Sequence, residues 1–159
     1  MPHHAFRAAE LKALYEKHGS ALAAYACCFG LDFGSAEDVV QQVFLKLLEG
    51  RVACPQTPAA YLYRSVRNTA LNRRRDITRE AEMPEVTSWL ISPDGLAEEA
   101  LAVRAALRDL PDEQREAIFL KVWAGMTLQE IADLLDISIN TAASRYRYAV
   151  EKLRTRLLP

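Results

Sequence analysis

Cysteine is scarce in this chain of 159 residues: Cys27, Cys28 and Cys54 are an odd set. They exclude a disulfide framework. The opening MPHHAFRAAE has neither the charged-then-apolar build of a secretory leader nor the arginine-rich build of a transit peptide, so a reducing, cytoplasmic setting is expected. No run of 18 apolar residues exists, which excludes an ordinary membrane-spanning helix. Aromatic residues reach only 8%, β-branched runs are few and no alternating pattern appears, so strands are not expected. There is no internal repeat and no glycine-rich phosphate loop. His3, His4 and His18 are scattered, and with Cys27 and Cys28 they match no common zinc spacing. Catalysis, metal and cofactor are therefore not indicated, and Cys27 and Cys28 read as small buried hydrophobes.

What is present is charge in blocks. The chain's formal net charge is −1. That near-neutral sum conceals a basic stretch, Tyr61 to Arg79, with six arginines against Asp76. An acidic stretch follows, Glu80 to Val103, with six acids and no base. The end, Ile139 to Leu158, is basic again, with Arg145, Arg147, Lys152, Arg154 and Arg156 against Glu151. Two basic blocks flanking an acidic one suit a nucleic-acid partner despite the neutral average.

Helical periodicity predicts the organisation. A first helix runs from Ala5 to Lys17 with Leu11, Leu14 and Tyr15 inward. Gly19-Ser20 interrupts it, and Ala21 to Phe29 continues to a stop at Gly30. Ser35 caps the next helix, with Glu37 and Asp38 in its first turn and Val39, Val40, Val43, Phe44, Leu47 and Leu48 as its stripe. Arg51 to Gln56 is a loop. Thr57-Pro58 is a cap with proline at the first helical position, opening a helix to about Arg75 with Leu62, Val66 and Ala70 inward. Ile77 to Ser92 is an irregular linker. Ser92-Pro93 opens a helix with Leu96, Ala100, Val103 and Leu107 inward, which Leu110-Pro111 ends. Asp112 to Ala124 follows with Ile118, Phe119 and Val122 within, and Gly125 stops it. The expected fold is all-α: two small helical domains, 5–76 and 95–159, joined by an acidic linker, 77–94.

The strongest motif is TLQEIADLLDISINTAASRYRYAVEKLR, Thr127 to Arg154. Thr127 and Glu130 form a capping box. Leu128, Ile131, Ala132 and Leu135 share an apolar face, with Ala132 small enough for a helix crossing. Asp136 stands where the turn needs left-handed backbone, which aspartate tolerates. After Asp136-Ile137-Ser138 comes a second, basic helix. This is a helix-turn-helix, whose second helix enters the major groove. Asn140, Thr141, Ser144, Arg147 and Tyr148 are placed for base edges, while Arg145, Lys152, Arg154 and Arg156 suit phosphates or solvent.

A second constellation is YLYRSVRNTALNRRR, Tyr61 to Arg75. Tyr61, Tyr63, Arg64, Arg67, Asn68 and Asn72 cannot all be core. Aromatic faces can stack on unpaired bases, amides can read base edges and arginines attract phosphates. Alone, this pattern more commonly describes a solvated, arginine-rich helix end. The acidic stretch is either a solvated linker or a mimic of nucleic acid in a basic channel.

Taken in order, these segments resemble the extracytoplasmic-function group of the sigma-70 family of bacterial RNA polymerase sigma factors. SAEDVVQQVFLKL (Ser35 to Leu47) and YLYRSVRNTALN (Tyr61 to Asn72) resemble segments of the family's sigma-2 domain, spanning Leu11 to Asp76 here. The run from LPDEQREAIFL through EKLRTRLL resembles its sigma-4 domain. The resemblance implies that Asp38, Gln41, Gln42 and Phe44 meet the clamp of polymerase β′, with Gln42 where the family usually has glutamate. It implies that Asn68 helps hold a flipped base of the minus-ten promoter element, flanked by Tyr61, Tyr63, Arg64, Arg67 and Asn72. Tyr61 replaces a common tryptophan and Asn72 a common aspartate, and the loop Arg51 to Thr57, which shapes the base pocket in the family, is short. The helices from Leu110 to Ala124 would dock on the β flap. The second helix of the helix-turn-helix would read the minus-thirty-five element through Asn140, Thr141, Ser144, Arg145, Arg147 and Tyr148, with Ala143 replacing the usual lysine or arginine. The implied partners are core RNA polymerase, promoter DNA and an anti-sigma protein, and the chain itself would do no bond chemistry. The rival reading is a stand-alone helix-turn-helix regulator with an N-terminal dimerisation domain, which would bind duplex DNA without polymerase.

Overall fold

The structure, a computed structural model, describes residues 6–50, 57–80 and 98–158, with the side chains of 78–80 and 100 left aside. The loop expected at Arg51 to Gln56, Cys54 and the helix start at Ser92-Pro93 lie outside the described residues. Seven helices and no strands occur among those described: α1 (Ala8–Cys27), α2 (Phe33–Leu48), α3 (Pro58–Glu80), α4 (Glu98–Arg108), α5 (Asp112–Val122), α6 (Leu128–Leu135) and α7 (Ile139–Leu157). The chain divides into two compact units, Met1–Trp89 and Leu90–Pro159.

In the first unit, α1, α2 and α3 pack pairwise around Leu22, Tyr25, Val39, Leu47, Leu62 and Val66. The expected break at Gly19-Ser20 does not occur, and α1 runs through it. A glycine inside a helix costs about 1 kcal/mol relative to alanine. Burial of Leu11 before it and Leu22 after it outweighs that cost. The Tyr15 ring covers the site, with ring atoms 3.6 Å from where a Gly19 Cβ would stand. Tyr15, expected inward, is not core; its side chain is exposed and meets Phe44 edge-on at 5.3 Å. Leu48, also expected inward, is exposed. Cys27 and Cys28 are buried, and burial, followed by the Asp32 charge, pushes the Cys27 thiol up to about 12.

The cap of α2 is Asp32, three residues before the expected Ser35. The Asp32 carboxylate accepts from the Ser35 backbone N–H at 2.7 Å, so the helix begins at Phe33 and no acid lies in its first turn. That backbone bond, then the Ser35 side chain, holds the Asp32 carboxyl below its ordinary range. Asp32→Ala is expected to cost about 1 kcal/mol of first-unit stability. With a lowered folded pKa, the bond's contribution is complete above the ordinary value of 3.8 and is lost as pH falls through the lower folded value. Acid titration of thermal stability checks the sign: Asp32→Asn, which keeps an acceptor, should flatten this part of the pH profile.

The helix α3 runs to Glu80, so 77–80, assigned to the linker from sequence, is helical. No glycine or proline stands before Pro84 to stop it.

In the second unit α7 packs against α4, α5 and α6 around Leu107, Leu120, Ile131, Ala142 and Ala149. Val103 and Val122, expected inward, are exposed; Ala106 and Leu110 are buried with Leu107 instead. Gly125 adopts φ 68°, a left-handed value suited to glycine, and the following Met126 N–H donates to the Leu120 carbonyl at 3.0 Å. The junction of α4 and α5 is held by Arg115, which is 5% exposed. Its Nε donates to the Leu107 carbonyl at 2.9 Å. Its Nη2 donates to the carbonyls of Arg108 at 2.6 Å and Leu110 at 2.8 Å, and its Nη1 pairs with Asp112 at 3.0 Å. One guanidinium thus gathers the Leu107 and Arg108 carbonyls at the end of α4 and the Leu110 carbonyl beyond it, and the Leu107 carbonyl also accepts from the Leu110 N–H at 3.2 Å.

Candidate polymerase and nucleic-acid interfaces

Three surfaces collect the residues singled out from sequence. The first lies on α2. Asp38, Gln41 and Gln42 are exposed and Phe44 is half-buried. Asp38 Oδ2 lies 3.7 Å from Arg73 Nη2 of α3. Gln41 and Phe44 line an open groove of about 510 Å³ between α1 and α2, with Leu11, Tyr15, Leu45 and Leu48. Leu45 and Leu48 are each 57% exposed. Sequence periodicity missed this surface. The apolar arc of α2 is wider than α1 and α3 can cover, and the pattern alone does not say which edge stays bare.

The second surface lies on α3. Tyr61, Arg64, Asn68 and Asn72 recur at helical spacing on the side away from the buried Leu62, Val66 and Ala70. Arg64, Asn68 and Asn72 are exposed and Tyr61 is half-buried. Tyr63, expected to offer a stacking face, is a core residue at 2% exposure. Its ring meets Tyr25 edge-on at 5.4 Å, and burial pushes its hydroxyl up to about 12. It therefore supports the surface from behind. Arg67 lies on the flank, with its guanidinium 6.0 Å from the Phe29 ring centre.

The third surface is the helix-turn-helix. Glu130 N–H donates to Thr127 Oγ1 at 3.1 Å, and Thr127 N–H to Glu130 Oε1 at 3.2 Å, completing the capping box. Asp136 caps α6 at φ 56°, ψ 49°. Asp136→Gly relieves a left-handed L-residue but adds freedom to the unfolded chain. The balance is expected to stabilise the second unit by up to about 1 kcal/mol, read as a higher melting temperature. Asp136→Val should lower it. Ser138 caps α7 by accepting from Thr141 N–H at 3.1 Å, and the two hydroxyls share a hydrogen bond at 2.9 Å. The Thr141 hydroxyl is thus engaged within the turn.

Along α7, Ala142 and Ala149 face the core, while Asn140, Thr141, Arg147 and Tyr148 are exposed and Ser144 is half-buried. Arg145 is turned toward α5. Its Nε lies 3.8 Å from Glu113 Oε2, and its side chain is 24% exposed. Arg156 pairs with Asp109. The Arg147 guanidinium lies over the Tyr148 ring, 5.4 Å from its centre. Among the described residues, no three histidine, cysteine or acidic side chains are grouped to hold a metal, and no helix is long and apolar enough to cross a membrane.

This arrangement has a known counterpart. The sigma-70 region 2 family matches residues 14–80, and the sigma-70 region 4 family matches residues 100–153. The chain belongs to the sigma-70 family and is a sigma factor of its ECF group. It is 32% identical over 166 aligned positions to the ECF RNA polymerase sigma factor SigL of Mycobacterium tuberculosis, covering 96% of this chain and 92% of that one. It is 31% identical over 140 positions to the ECF RNA polymerase sigma-E factor of Haemophilus influenzae, covering 77% and 74%. Its fold is similar to that of the sigma factor RpoE of Bartonella quintana, solved with the anti-sigma factor NepR. The TM-score is 0.74 at 25% identity, over 92% of this chain and 95% of that one. It is also similar to CnrH, solved with the cytosolic domain of CnrY, with a TM-score of 0.67 at 27% identity over 94% and 88%. The region 2 match occupies α1 to α3, the part that a stand-alone regulator would have used for dimerisation.

Proposed function

We propose that this chain binds core RNA polymerase and directs it to open and transcribe from particular promoters. The observation that carries the reading is the division of labour between its units. The first presents the bare apolar groove of α1 and α2 and, on α3, an amide- and arginine-bearing strip, and the second presents the polar strip of α7. In this reading Asp38, Gln41, Gln42 and Phe44, with Leu45 and Leu48, meet the β′ clamp. Exposed Val122, the last residue of α5, and Trp123, which caps it, meet the β flap. Asn68 helps hold a flipped base of the minus-ten element, with Tyr61, Arg64, Arg67 and Asn72 around it. Asn140, Ser144 and Arg147 read the minus-thirty-five element, with Tyr148 beside Arg147. The two units, Met1–Trp89 and Leu90–Pro159, act on separate DNA elements, so their tether raises the effective concentration of the second contact once the first is made.

The energetics fit a factor that works without ATP. Opening duplex costs about 1.4 kcal/mol per base-pair step. Capture and stacking return about 1–3 kcal/mol per base. A few captured bases hold a short bubble if polymerase supplies the remaining contacts. An anti-sigma protein is the expected regulator, as the complexes of the two similar structures with NepR and with the cytosolic domain of CnrY support.

The test is in vitro transcription with core polymerase on a promoter library, with co-purification of the two proteins. Polymerase-dependent initiation from a restricted sequence set is expected, and Leu48→Glu should weaken co-purification at least ten-fold. Tight duplex binding without polymerase, and no change in initiation with it, would favour the stand-alone regulator.

A further inference from the structure

The five bases of α7 are not held alike. Arg145 leans on Glu113 at 3.8 Å, and Arg156 pairs with Asp109. Each of these acids competes with any phosphate for its arginine. Lys152 and Arg154 are exposed but lie in the C-terminal half of the helix, away from the end that enters a major groove. Arg147 is held by a ring, with its guanidinium carbon 5.4 Å from the Tyr148 centre. Tyr148 is 48% exposed, on the same side of α7 as Ser144.

A ring and an acid do different things to an arginine. A carboxylate occupies the N–H fork and cancels the charge. An aromatic face takes the flat side of the guanidinium and leaves the in-plane donors pointing outward with the charge intact. The stack also removes rotamers before DNA arrives, so less ordering remains to be done on binding. An arginine prepared in this way suits one base best. Guanine presents N7 and O6 side by side on its major-groove edge, matching two parallel N–H donors. The other polar groups on the strip are short, and Thr141 has its hydroxyl engaged with Ser138.

We infer that Tyr148 is a positioning residue that pre-orients Arg147 to select guanine at one position of the upstream promoter element. This deepens the proposed role of α7 and rests on it. The strip then divides by function: Arg147 reads, Tyr148 aims, and Arg145, tied to α5, fixes how α7 sits on its scaffold.

The test uses the holoenzyme on a library carrying every base at each upstream-element position, with Arg147→Ala, Tyr148→Leu, Tyr148→Phe and the Arg147→Ala/Tyr148→Leu double variant. The wild type is expected to prefer guanine at one position by about 5- to 150-fold, the range of a good bidentate pair. Arg147→Ala should erase that preference. Tyr148→Leu should reduce it several-fold at the same position and leave other positions unchanged. Tyr148→Phe should retain it, and the double variant should match Arg147→Ala. The assignment is overturned if Tyr148→Leu lowers all sequences alike or shifts a different position. It is equally overturned if Tyr148→Phe behaves like Tyr148→Leu, which would assign the hydroxyl to a phosphate. Failure of wild-type holoenzyme to initiate from any library member would instead overturn the sigma reading beneath it. Both side chains are exposed, and unchanged helical melting of each variant verifies folding.

Discussion

Arg115→Met is expected to unfold most of the second unit while leaving the first intact. The guanidinium is buried and donates to three backbone carbonyls, of which those of Leu107 and Leu110 are themselves in buried bonds. Methionine matches the bulk and offers no donor. The Leu107 carbonyl keeps the Leu110 N–H as a donor at 3.2 Å, but the buried Leu110 carbonyl loses its guanidinium; an acceptor left without a partner costs about 1–3 kcal/mol, and with the lost charge-assisted bonds the sum is roughly 3–5 kcal/mol. The second unit, Leu90–Pro159, has only about 4–10 kcal/mol to lose, at the usual 0.05–0.15 kcal/mol per residue. Hydrogen exchange should then show α4 to α7 losing protection while α1 to α3 keep theirs. Arg115→Lys should fall between, since one ammonium cannot reach carbonyls spread around a planar fork. A second unit melting within about 1 kcal/mol of the parent would contradict the role given to Arg115.

That residue also marks where sequence reading stops. The capping box and the left-handed Asp136 are legible because each is local: a side chain meets backbone within three residues, or one residue type tolerates the backbone that the turn needs, so the order of residues carries the geometry. The contacts of Arg115 reach back five to eight residues across the Leu110-Pro111 break. They depend on how two helices meet, and no periodicity encodes that. Asp32 and Ser35 are a closer case. Both can cap, they stand three residues apart, and the aspartate takes the cap by accepting from the backbone N–H of the serine. At Gly19, local preference argued for a break, and packing on both sides of α1 decided otherwise.

The site shows the same division. Arg64, Asn68 and Asn72 are legible because exposed polar residues at helical spacing leave little choice. Tyr63 is misleading because an aromatic residue among arginines resembles a nucleic-acid contact, while its position beside Leu62 and Val66 places it in the core against Tyr25. Arg145 misleads in the other direction. Its charge suits a phosphate, and only the fold brings Glu113 to it. The groove over Phe44, Leu45 and Leu48 is legible as apolar but not as bare.

Asn68→Ala is the second large effect, and it separates promoter opening from polymerase binding. Asn68 is exposed on α3, whereas the groove proposed for polymerase lies between α1 and α2. Its amide can give and take a hydrogen bond on one base edge, a pairing worth about 1–3 kcal/mol. Losing it should lower open-complex formation on a duplex promoter by about 5- to 150-fold, at 1.4 kcal/mol per ten-fold. Affinity for core polymerase should stay within two-fold. Because each base-pair step costs about 1.4 kcal/mol to open, a template already unpaired over one or two minus-ten steps should recover most of the loss. Leu48→Glu should show the reverse pattern: weak polymerase binding that a pre-opened template does not repair. If Asn68→Ala loses polymerase affinity in step with promoter opening, or remains equally defective on the opened template, Asn68 is holding the protein together rather than holding a base.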